Sequence, residues 1–232
     1  MSRSNQQEFD EQPVQIRVGS VMLEGDLVIP QGTSGLVLFA HGSGSSRHSR
    51  RNRFVARCLQ QAGLATLLFD LLTAEEEKVD VLTREPRFDI DLLTRRLAGA
   101  TSWFRQQHGA ERLAIGYFGA STGAAAALRA AAQLPDKVRA VVSRGGRPDL
   151  AMEDLARVQA PTLLIVGGWD EQVLALNRLA QRQLTVQSRL EIVPRATHLF
   201  EEPGALEQVA ELAKRWFVQH LTLNAAGEAS RQ

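Results

Sequence analysis

The chain has 232 residues, 44% of them hydrophobic and 23% charged, with a net charge of +1. That length supports one substantial core and fits a single α/β domain over 1–232, while the near-neutral charge speaks against a broadly basic nucleic-acid binder. The single cysteine, Cys58, excludes an internal disulfide and a cysteine-built zinc site and fits a reducing cytoplasm. No apolar run approaches the ~18 residues a membrane span needs, and the polar opening MSRSNQQEFDEQ has no signal-peptide core. A soluble cytoplasmic protein is expected, with residues 1–12 and about 224–232 loosely held.

In chain order, Val14–Val18 and Met22–Ile29, separated by Gly19-Ser20, read as an antiparallel pair. A strand over Leu36–Ala40, a helix over Arg53–Ala62 and a strand over Leu64–Phe69 follow. Next comes a helix over Asp89–Gln107, where Ile90, Leu93, Leu97 and Phe104 keep helical spacing. His108-Gly109 reads as its C-terminal cap. Strands over Leu113–Phe118, Ala140–Ser143, Thr162–Val166 and Arg189–Val193 then alternate with helices over Thr122–Gln133, Gln172–Gln183 and Ala205–Leu221. Runs such as LVLFA and TLLIV are nearly continuously apolar, as strands covered on both faces are. The alternation predicts a mostly parallel central sheet of about eight strands with helices on both faces.

Gly119-Ala120-Ser121-Thr122-Gly123 lies between the strand LAIGYF and the helix TGAAAALRAAA. A nucleophile elbow needs that order, with glycines where side chains would collide in a very tight turn. Ser121 is the candidate nucleophile, and the Thr122 amide at the helix start can donate to a developing oxyanion. The loop His41-Gly42-Ser43-Gly44-Ser45-Ser46 follows the strand LVLFA and can bring a second donor, Ser43, with Gly44 its near competitor. The alanines after the elbow read as a means of laying the helix close to the sheet.

A base and an acid should follow in the order serine, acid, histidine. His41 and His48 precede the elbow. His220 lies near the end of the last helix, where its charge would suit the helix dipole. His198 stands instead in the loop after the last strand, and is the candidate base. Asp170, just after TLLIVGGW, is the candidate acid; a helix cap is the plainer role for such an aspartate. Asp136, Asp149 and Asp154 do not follow a strand directly, and Asp70 precedes the serine.

Together HGSGSSRHS, GASTGAA, GGWDEQV and ATHLFEEPGALEQVA resemble the dienelactone-hydrolase-like branch of the α/β-hydrolase superfamily, from about Val14 to Phe217. The resemblance implies the α/β-hydrolase fold with minimal or no lid, since only SRGGRPDLAMEDLARVQA separates the strands where a lid often enters. It implies hydrolysis of a small carboxylic ester, thioester or lactone, short acyl groups suiting the open site, with no cofactor or metal. The namesake enzymes carry cysteine at the elbow where this chain has Ser121, which favours ordinary esters over dienelactone. Some similar sequences are fused to a phosphoribosyltransferase domain, which this sequence is not expected to contain.

Two arginine groups stand near the predicted site: Arg47, Arg50, Arg51 and Arg53, and Arg144 and Arg147. Arg144, read as opening a loop at a strand's end, is the candidate for holding a carboxylate or phosphate of the substrate. A solvated rim with surface ion pairs is the alternative. Acyl transfer would use the same triad, and a non-catalytic binding protein could use the same fold. The arginine cluster has no aromatic stacking platform nearby, so no nucleic-acid partner is expected.

Overall fold

A computed structural model describes residues 9–107 and 113–222. The expected loose ends over 1–8 and 224–232, and the cap at His108-Gly109, lie outside them. Residues 9–12 correct the expectation of a loose start: Glu11 pairs with Arg53 across 2.6 Å, and Gln12 opens the first strand.

The strands are β1 (Gln12–Val18), β2 (Val21–Val28), β3 (Gly35–Ala40), β4 (Ala65–Phe69), β5 (Ala114–Ala120), β6 (Val138–Arg144), β7 (Thr162–Gly167) and β8 (Ser188–Val193). They form one sheet in the order β1-β2-β4-β3-β5-β6-β7-β8. β2 runs antiparallel to both its neighbours and every other pairing is parallel, as the apolar runs predict.

Six α-helices are described: α1 (Arg50–Gln61), α2 (Ala74–Thr83), α3 (Ile90–Gln107), α4 (Thr122–Gln133), α5 (Glu171–Gln183) and α6 (Ala205–Leu221). Alternate residues of each central strand serve opposite faces. Val37 and Phe39 of β3 pack with Val55 and Leu59 of α1 and Phe217 of α6. Leu36 and Leu38 join the other layer, with Leu93 and Leu97 of α3 and the alanines of α4. Helices therefore cover both faces.

Helix α2 was not foreseen. Its sequence, AEEEKVDVLT, has no apolar face and buries only Asp80. What starts it is local: Thr73 and Glu76 exchange hydrogen bonds as a capping box. Helix α1 begins three residues before its predicted start, because the Ser49 hydroxyl accepts from the Asn52 amide and caps the turn there. Between β6 and β7 the chain makes only a 3-10 segment, Pro148–Arg157, kinked at Ala151. No helix among the described residues is long and apolar enough to cross a membrane.

Candidate active site

Ser121 sits between β5 and α4 with φ +50° and ψ −120°, a conformation L-residues rarely adopt. Strain of this kind costs about 1–3 kcal/mol and persists only where neighbours over-determine it. Here the Ser121 amide donates to the Arg144 carbonyl at 3.2 Å, and the Ser121 carbonyl accepts from Arg147 and Ala124, both at 3.1 Å. The flanking glycines make the turn sterically possible. A Cβ on Gly119 would lie 2.4 Å from Ala124 Cα, and one on Gly123 would lie 2.2 Å from the Ala40 carbonyl oxygen. Four alanines, Ala124–Ala127, follow at once and have no exposed surface, so α4 lies directly on the sheet.

The loop after β3 closes onto this elbow. A Cβ on Gly42 would stand 3.2 Å from both the Ala120 oxygen and Ser121 Cβ. The Ser43 and Thr122 hydroxyls lie 3.3 Å apart, which brings together the two residues predicted as oxyanion donors. Thr122 is the first residue of α4, where backbone amides lack intrahelical acceptors.

His41 holds the loop in place, a role its sequence position did not reveal. Its Nε2 accepts from the Leu71 amide at 3.0 Å, so the ring proton is on Nδ1, which donates to the Gly42 carbonyl at 3.0 Å. Burial holds its pKa below the usual histidine value, against the pull of Gly42, Asp70 and Glu77. Beyond His41, the Arg47 amide and guanidinium both donate to Asp70, and the guanidinium also reaches Glu24 at 2.7 Å. A small cleft opens beside this loop, bordered by Ser43, Thr122, Leu72, Asp80, Arg87 and Leu93.

Asp170 and His198 meet at the ends of β7 and β8. Asp170 is the N-cap residue of α5, yet its side chain makes no cap hydrogen bond. It lies 2.6 Å from His198 Nδ1 instead, with Asp170 largely buried and His198 partly exposed. The two loops are laced by backbone bonds from Gly168 to Val193 at 2.8 Å and from Trp169 to Ala196 at 3.0 Å. His198 also approaches the elbow's neighbour: a Cβ on Gly145 would lie 3.4 Å from His198 Cε1. Trp169 and Leu199, both exposed, flank this pair.

The remaining histidines take other roles. His48 belongs to the loop before α1, where its amide bonds Ser46. His220 packs against Trp216 with ring centroids 4.6 Å apart and planes tilted by 58°, and burial lowers its pKa, which works against the expected helix-dipole role for its charge.

Most of the predicted arginine rim is consumed by carboxylates. Arg47 meets Asp70 and Glu24, Arg53 meets Asp26 and Glu11, and Arg147 meets Asp149. Arg144 differs in two ways. It is the last residue of β6 rather than the first of a loop, and its side chain is buried with no acidic partner among the described residues. Among the described residues no group of three or more histidine, cysteine or acidic side chains is placed to hold a metal ion.

A family model described as the α/β hydrolase fold matches residues 35–191. The chain is similar to the crystal structure of a dienelactone hydrolase from Anabaena variabilis, with 62% identity and a TM-score of 0.90 over 92% of this chain and 99% of that one. Two putative phosphoribosyl transferases from strains of Mycobacterium tuberculosis are 58% identical over 211 residues, which are 91% of this chain and 47% of theirs. The chain thus spans about half the length of these curated relatives. Est1E from Butyrivibrio proteoclasticus is similar in fold, with a TM-score of 0.75 at 16% identity over 89% of this chain and 98% of that one.

Proposed function

The chain belongs to the dienelactone-hydrolase-like branch of the α/β-hydrolase family, and from that premise we propose that it is a serine hydrolase of small carboxylic esters. The observation that carries this reading is Asp170, which stands at a helix N-cap but turns its carboxylate onto His198 at 2.6 Å. An aspartate serving only the helix would accept from its backbone amides.

In this reading His198 Nε2 takes the Ser121 proton as the hydroxyl attacks the ester carbonyl. Asp170 holds the imidazole tautomer through Nδ1 and stabilises the imidazolium. The amides of Thr122 and Ser43 receive the oxyanion, a contribution worth ~10²–10³ in turnover for each donor. Collapse expels the alcohol, which takes its proton from His198, and water then releases the acid from the acyl-enzyme. Short acyl groups suit a chain whose β6–β7 interval holds a 3-10 segment and no cap domain. The phosphoribosyl transfer in the mycobacterial relatives' names belongs to proteins about twice this span.

A fluorophosphonate probe tests the proposal, because it phosphonylates only an activated serine. Labelling of Ser121, located by peptide mass spectrometry and lost in Ser121→Ala and His198→Ala, is the expected result. A folded protein that takes up no label at Ser121 overturns it.

A further inference from the structure

Asn177 lies in the middle of α5, fully buried, where an apolar side chain would cost the helix less than an amide does. Its Oδ1 has no hydrogen-bond partner among the described residues, so it leaves a polar atom buried and unsatisfied. What the residue supplies comes from the other half of the amide. Nδ2 donates to the Val173 carbonyl one turn back at 2.8 Å, and to the Gly146 carbonyl at 3.0 Å. The first bond stays within the helix. The second leaves it and reaches the strap Gly145-Gly146-Arg147, which follows β6.

Each residue of that strap is tied to a different element. The Gly145 amide donates to the Ile165 carbonyl of β7 at 2.8 Å, and the Arg147 amide to the Ser121 carbonyl at 3.1 Å. The glycines bring no side chain of their own: φ is +51° at Gly145, and a Cβ on Gly146 would lie 2.0 Å from Ser143 Oγ. Among the described residues Asn177 is the one side chain that hydrogen-bonds them. On its other side the strap meets the base. A Cβ on Gly145 would stand 3.2 Å from the His198 carbonyl oxygen, 3.4 Å from Cε1 and 3.5 Å from Nδ1. Asp170, the N-cap residue of α5, precedes Asn177 by two helical turns on the same face. One buried amide therefore joins the helix that begins at Asp170 to the strap between Ser121 and His198.

We propose that Asn177 is a positioning residue: by holding the Gly146 carbonyl it fixes the strap against which Ser121 and His198 are set, and keeps both aligned with Asp170. This rests on the hydrolase reading for its effect on rate, though not for its effect on the strap. Being fully buried, the amide acts through the backbone and touches no substrate. An asparagine kept only for the stability of α5 gains nothing from a bond that leaves the helix while its oxygen stays unpaired.

The test has two arms. In the first, amide hydrogen exchange of the wild type is compared with that of Asn177→Leu, which nearly keeps the volume and loses both donors. The Gly145 and Arg147 amides should exchange about tenfold faster in the variant, the effect of leaving one buried carbonyl unpaired, with β3 amides unchanged. In the second, fluorophosphonate labelling of Ser121 is followed to completion. The displaced strap should slow the rate constant roughly ten- to hundred-fold while the final stoichiometry stays full. With p-nitrophenyl acetate the loss should fall on kcat and leave KM little changed. A merely structural role would instead lower the final stoichiometry and leave the rate constant of the folded fraction as it was. Asn177→Ala carries the same readouts if the leucine variant does not fold. Unchanged exchange at Gly145 and Arg147, or an unchanged rate constant beside a wild type that labels, overturns the proposal. If the wild type takes no label the hydrolase reading fails, and the exchange arm still decides whether Asn177 holds the strap.

Discussion

Replacing Gly123 with alanine tests the idea that the elbow depends on contact between α4 and the end of β3. The new Cβ would meet the Ala40 carbonyl oxygen at 2.2 Å and the His41 oxygen at 2.5 Å, both backbone atoms that no rotamer change can move. An ordinary contact requires the helix and strand to part by about 1 Å. Overpacking of this kind costs ~1–3 kcal/mol, and rigid backbone on both sides places this case at the upper end. For a chain of this size that corresponds to a drop in Tm of roughly 6–12 °C. The same 1 Å displaces the Ser121 hydroxyl from the loop carrying Ser43, and a misplacement of that size costs on the order of 10² in rate. Calorimetry and the second-order rate of fluorophosphonate labelling read the two effects separately. Gly32→Ala is the control, since nothing lies within 4 Å of its Cβ and only its φ of +71° opposes the change. It should cost about 1–2 kcal/mol and leave labelling unaltered. A Gly123→Ala protein that melts and labels like the wild type would refute the reasoning.

Asp170→Asn should slow labelling of Ser121 by about 10³–10⁴-fold with little change in Tm, because the amide favours the wrong imidazole tautomer; a loss under tenfold shows that another group orients His198. Asp70→Asn, which weakens two bonds from Arg47, should lower stability by about 1–3 kcal/mol in urea titration and slow labelling as the loop carrying Ser43 loosens. An unchanged urea midpoint rules that out. His41 gives a pH dependence with a definite sign. Its folded pKa lies below the unfolded value near 6.5, so the unfolded chain takes up the proton first and stability falls as the pH drops through and below about 6.5. The slope cannot exceed about 1.4 kcal/mol per pH unit for one group, and it should shrink in His41→Gln. A slope unaltered in that variant assigns the effect to His220, which has the same sign, or to carboxylates.

The parts of this fold that were legible in advance are those whose cause is local. LVLFA and TLLIV announce strands covered on both faces because no polar residue interrupts them, and the spacing of Gly119, Ser121 and Gly123 announces the turn they permit. Helix α2 was missed because it buries almost nothing, although Thr73 and Glu76 at capping-box spacing were there to be read. Arg47 and Arg53 could not be separated from Arg144 by sequence, since what distinguishes them is carboxylates brought from Glu11, Glu24, Asp26 and Asp70. Likewise the tautomer of His41 is set by Leu71, thirty residues away.

The strand order has a consequence for how the site fails. Ser121 rises from β5, a central strand buried along nearly its whole length, whereas His198 follows β8, which has one neighbour among the described strands and whose residues before Val193 are half-buried or exposed. Local opening is easiest at such a margin. The backbone bonds between the β7 and β8 loops tie Asp170 to His198, so fraying there carries the proposed acid and base away as a unit. On gentle heating the protein should lose its reactive serine before its circular dichroism changes. In hydrogen exchange the amides of β8 should open well ahead of those of β5, leaving an intact elbow with no base beside it.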